Sequence, residues 1–121
     1  TLQAGSISCT NEARFVEDLT IPDGFQAAPD EVLDKRWAVL NAGTCDWSAG
    51  YRLVRIDDGL IEAPEELALY PARAGETGVW SVQLTAPDQP GDQMASWQAQ
   101  APDGSFFGDR VFVLIEVILN P

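Results

Sequence analysis

The stretch RIDDGLIEAPEE places Asp57, Asp58, Glu62, Glu65 and Glu66 close together along the chain. Clustered carboxylates are what a hard cation such as calcium takes as ligands, so Asp57, Asp58 and Glu62 are the candidates for a cation site. Their spacing follows no known calcium-loop rule, and Asp-Asp-Gly is equally a turn signal. The chain holds 19 acidic residues. A glycosidase-like carboxylate pair is therefore guaranteed by number alone and carries no information. Histidine is absent, which removes the usual serine and cysteine triads and the commonest metal ligand. These residue types point away from an enzyme, and no cofactor or resident metal is expected.

The two cysteines are Cys9 and Cys45. Their spacing fits no zinc motif. A single pair in a short chain predicts one disulfide, with two free buried thiols as the alternative. The chain-entropy model gives such a link about 3.5–4 kcal/mol, less any native strain. If the bond forms, the compartment is oxidising.

Cys45 lies in a dense stretch, KRWAVLNAGTCDWSAGY, which runs from Lys35 to Tyr51 and contains Trp37 and Trp47. Indole rings on a surface are how many β-sandwich modules hold a sugar, whereas buried indoles build a core. Strand alternation sends Trp37, Trp80 and Trp97 inward. Trp47 follows a turn and either plugs one end of the core or stands partly exposed. On this reading Asn41-Ala42-Gly43 reverses the chain, Cys45 ties the turn to the amino-terminal arm, and the cluster holds the fold.

The elements that would position these residues are short alternating segments separated by turn signals, the pattern of a β-sandwich. RFVEDLT meets the turn IPDG, and VLDKRWAVLN alternates through Leu33, Lys35, Trp37 and Val39. YRLVRI is closed by Asp-Asp-Gly. The segment from Leu60 to Pro71 is acidic and broken by proline, which suits an edge strand or an irregular loop; within it, PEELALY could form one helical turn. GVWSVQLTAP, QMASWQAQ and RVFVLIEVIL come next, set apart by QPGD and PDGSFFGD. The expectation is an all-β, immunoglobulin-like antiparallel sandwich of about seven strands. It occupies 1–121 as one domain, with 1–13 as a tethered arm.

The last strand is unusual because both faces are apolar. Val111, Val113, Ile115 and Val117 fall on one side, and Phe112, Leu114 and Ile118 on the other, interrupted by Glu116. An antiparallel sandwich strand normally shows polar residues outward. The second face is covered either by this chain, for instance by its amino-terminal arm, or by a partner. Pairing between copies through this strand is a further expectation.

Net charge is −12, and Lys35 is the chain's one lysine. Phosphate binding needs clustered cations, so nucleic acid is excluded as a partner. An anionic membrane surface is disfavoured for the same reason, and no apolar run of the roughly 18 residues that cross a bilayer is present. TLQAGSISCT lacks the basic and apolar regions of a signal peptide. The chain reads as a domain taken from a longer, processed precursor.

FVEDLTIPDG, LDKRWAVLNAGTCDW, YRL, APDQPG, SWQAQAPDGSFFG and VLIEV together resemble the four-tryptophan (FW) domain. This is the immunoglobulin-like module of the next-to-breast-cancer-gene-one autophagy receptor, and it is widespread in bacterial proteins. The resemblance covers nearly the whole chain, from Phe15 to Val117. It implies that Trp37, Trp47 and Trp97 are family tryptophans, with Asn41, Gly43, Phe107 and Gly108 completing the motif core. The fourth family position is Phe112 here, and Trp80 stands where an aliphatic residue is usual. The cysteine pair resembles a bacterial subgroup of exported or surface-attached proteins. The resemblance implies a non-catalytic protein-interaction or spacer module at the cell surface or outside the cell. Phe112, Leu114 and Ile118 are the expected partner surface. A carbohydrate-binding module and a calcium-dependent adhesion domain are the alternatives.

Overall fold

A computed structural model describes residues 8–119. These form eight strands and no helix. They are β1 (Ala13–Asp18), β2 (Phe25–Ala27), β3 (Val32–Asn41), β4 (Arg52–Arg55), β5 (Glu66–Ala68), β6 (Thr77–Thr85), β7 (Gly91–Gln100) and β8 (Phe106–Val117). A three-stranded sheet in the order β1-β3-β6 faces a five-stranded sheet in the order β2-β8-β7-β4-β5. The architecture is the expected all-β, immunoglobulin-like sandwich, with one strand more than anticipated. The expected arm is described from Ser8 onward, and its first seven residues lie outside the described region.

Period-two patterning explains the long strands. β3 turns Leu33, Lys35, Trp37, Val39 and Asn41 inward, and β6 turns Gly78, Trp80, Val82 and Leu84 to meet them. Across the core, β7 sets Trp97 between Ala95 and Ala99. The small flanking residues leave room for facing indoles, and the Trp37 and Trp97 rings sit 5.7 Å apart. All four tryptophans are buried. Each takes about 150–250 Å² from water, worth about 4–6 kcal/mol before entropy is counted.

Of the short strands, β2 departs from expectation and β5 meets it. β2 pairs parallel with β8, through Phe25↔Ile115 and Ala27↔Val117, so the sandwich is not wholly antiparallel. The acidic, proline-broken segment contributes an edge strand, β5, and no helical turn. There, pairing of Leu67 with Leu53 along β4 outweighs a helical preference spread over too few residues to nucleate.

Between β1 and β2 the chain leaves one sheet for the other, and Lys35 organises that crossing. Its ammonium is fully buried and donates to the Asp18 carboxylate and to the carbonyls of Thr20 and Ile21, each at 2.8 Å. All three donor positions are thereby used. The strand alternation that sends this lysine inward also places it under the one stretch with carbonyls to spare.

Candidate interaction surface

The cluster between Lys35 and Tyr51 is structural throughout. Cys9 is bonded to Cys45, with Cα atoms 4.9 Å apart. The arm is also zipped to the turn: the amides of Thr44 and Cys45 donate to the Thr10 carbonyl at 2.8 and 3.1 Å, and the Thr10 amide donates to Thr44 Oγ1 at 2.8 Å. At Gly43 a Cβ would collide with the Thr10 carbonyl and lie 2.7 Å from the Glu12 nitrogen, so no other residue admits the arm this closely. Buried Asn41 donates through Nδ2 to the carbonyls of Cys45 (2.9 Å) and Ala72 (3.1 Å), bracing both sides of the turn. Tyr51 donates from its hydroxyl to Asn11 Oδ1 at 2.7 Å, and burial pushes its phenol pKa up.

Trp47 plugs the end of the core and is only 2% exposed. It bridges to Ala72 through the backbone and packs on Trp80 at 5.6 Å and on Phe107 at 6.4 Å. Phe107 in turn meets Tyr51 edge-on at 6.0 Å. The next residue, Gly108, has φ +78° and sits where a Cβ would lie 2.6 Å from that of Ala13. It opens a bulge in β8, visible as a register shift between Trp97 and Ala99 on the facing strand. Buried indoles cannot offer a stacking platform, so the geometry leaves the sugar-binding alternative without a surface.

The carboxylates singled out by sequence do not converge. Asp57 accepts from Arg55 Nε (2.9 Å) and Nη2 (3.1 Å) and from the amides of Ser96 and Gly59 (both 2.8 Å). Burial raises its pKa, but the guanidinium and the two amides outweigh that effect and hold it at about 2. Arg55 itself faces inward, donates to the Ile61 carbonyl at 2.7 Å and lies 5.9 Å from the Trp97 ring centroid. It is an internal counter-ion that sequence reasoning did not single out. The signal was there in its parity with Leu53. Glu62 pairs by backbone with Thr85. Among the described residues no three Asp, Glu, Cys or His side chains are gathered to hold a metal.

Exposed apolar side chains occur on both sheets, among them Val16, Val32, Val79, Met94 and Phe112, and the ones singled out by sequence lie on β8. Phe112 points outward and is 41% exposed, while Leu114 and Ile118 are partly buried. The described part of the arm, at the far end beside residues 42–45, does not cover them. β8 is an interior strand, flanked by β7 and β2, so its edge is closed to another copy along Ile115–Val117. Where β1 and β8 diverge, a cleft of about 390 Å³ opens between Phe15, Trp37 and Phe112, with Asp18, Asp23 and Asp109 on its walls. Trp37 Nε1 donates to the Phe112 carbonyl at 2.9 Å behind it, and the Phe15 amide donates to Asp109 Oδ2 at 2.9 Å across it. The cleft was missed because it arises where two strands remote in sequence part company.

A sandwich of three and five strands, with the first strands divided between the sheets and indoles stacked between them, defines an immunoglobulin-like domain. Residues 20–117 match the family described as the Ig-like domain from next to BRCA1 gene, and the chain belongs to that family. It is 33% identical over 88% of its length to Protein JOKA2 of Solanum tuberosum. It is 30% identical over 89% of its length to Protein ILRUN of Danio rerio, and 34% over 90% to Next to BRCA1 gene 1 protein of Homo sapiens. The chain spans 13%, 38% and 11% of these three proteins' own lengths. They come from a plant, a fish and a human. The match therefore carries the family, and not the bacterial, exported setting expected from the cysteine pair.

Proposed function

We propose that this domain is a non-catalytic protein-interaction module of a larger protein, and that it engages its partner through the outward face of β8. The observation that carries the reading is Phe112, a large apolar side chain left in solvent beside partly exposed Leu114, on a strand whose inner face is fully packed. A spacer alone would need no such face. The Cys9–Cys45 bond supports an oxidising, secreted or cell-surface setting, because thiols are kept reduced in the cytosol. A bacterial parent rests on the sequence resemblance alone. Self-association through the outer face of β8 is the alternative reading, because β2 closes the strand's edge along Ile115–Val117.

The test is the pair Phe112→Ser and Leu114→Ser. If the face is a partner's, melting should stay within about 2 °C of the parent, because little packing is lost. A fall of several degrees would show that these side chains serve the fold, and would sink the proposal.

A further inference from the structure

The outer face of the five-stranded sheet extends well past Phe112 and Leu114. Residues directly opposite in an antiparallel pair share a face. Leu114 faces Met94, Phe112 faces Ser96, and Ile56 binds Ser96 through its amide at 2.9 Å. Val54, opposite Gln98, continues the stripe along β4. Met94 is 50% exposed. One step beyond Leu114 and Met94, Glu116 stands directly opposite Asp92 on the same face. Among the described residues neither makes an ion pair. Arg52 is held by Glu66 at 3.5 Å, and Arg110 lines the cleft at the seam.

Like charges directly across two strands are destabilising, so the fold derives nothing from this arrangement. An apolar stripe that ends in two uncompensated carboxylates suits a partner with apolar side chains flanked by cations. A second copy would have to approach against a net charge of −12 on each molecule. We infer that this face, formed by Val54, Ile56, Met94, Phe112 and Leu114, docks a basic protein segment whose lysines or arginines meet Asp92 and Glu116. The inference rests on the proposed interaction role and adds the chemistry of the partner.

The probe is a peptide alternating leucine and lysine, titrated into the labelled domain and followed by amide shifts. Two further peptides replace the lysines with glutamate or serine. The expected result is that the lysine peptide shifts the amides of Ile56, Met94, Ser96 and Leu114 and binds less tightly as salt is raised. The double variant Asp92→Asn with Glu116→Gln should weaken it at least about fivefold, while melting stays level or rises. Equal binding of all three peptides at this face would overturn the basic-partner inference and leave the interaction role standing. Shifts confined to the cleft between β1 and β8, or no shifts with any peptide, would overturn it too. Loss of melting temperature in the double variant would show that the carboxylates belong to the fold.

Discussion

Lys35 has no exposed surface and three acceptors, an arrangement that stabilises only as a whole. Replacing it by methionine keeps most of the apolar stem but strands the carbonyls of Thr20 and Ile21. Unfolding by urea should then show a loss of about 2–4 kcal/mol. An unmoved midpoint would mean that the sheet crossing does not depend on the ammonium. Asp57 gives a prediction about pH. Its pKa lies at about 2 in the fold against an ordinary 3.8. It therefore adds stability above the ordinary value and loses it as pH falls toward about 2. The variant Asp57→Asn should be less stable near neutrality, and its deficit should shrink through that acid window when melting is followed against pH. A deficit independent of pH would show that Arg55 and the two amides do not select the charged form. Of the two, Lys35 alone was legible as inward-facing from strand parity, Asp57 having been read as a turn residue or cation ligand. The partners of neither were legible, because a crossing loop and a neighbouring strand supply them.

Among the elements, the long strands were readable, β5 was anticipated as an edge strand or irregular loop, and β2 was not anticipated. VLDKRWAVLN is β3 residue for residue, since ten alternating positions outvote any local ambiguity. β2, with three residues, leaves no such trace behind the IPDG turn. PEELALY is helix-prone by composition, yet β5 forms there because β4 offers a ladder. The arm and the turn at residues 42–45 act as one element through the sulfur bridge and the bonds of Thr10. Changing both cysteines to serine should cost about 2–4 kcal/mol in denaturant unfolding without altering the fold. Thiol titration of the parent should find no reactive thiol, native or unfolded, until reductant is added. Two reactive thiols on unfolding without reductant would remove the case for an oxidising compartment.

At the scale of the whole molecule, all four indoles lie between the sheets. Iodide should quench tryptophan fluorescence only weakly in the native protein and strongly once it unfolds. Strong native quenching would restore a sugar platform as the better reading. The proposed docking face was half legible. Phe112 and Leu114 emerge from parity within one strand, whereas Met94 and Ile56 join them only through the register of β4, β7 and β8. No local pattern encodes that register.

The parallel pairing of β2 with β8 has a mechanical side. The arm packs near the Gly108 end of β8, and the chain departs from that strand beyond Val117, roughly 30 Å away at 3.3 Å per residue. Tension along this axis would load the parallel β2–β8 pair in shear, so that the bonds from Gly24 to Leu114 and from Ile118 to Ala27 would share the strain and would not open one after another. Strung between other domains, such a body would resist stretching as a bolt does and not as a zip.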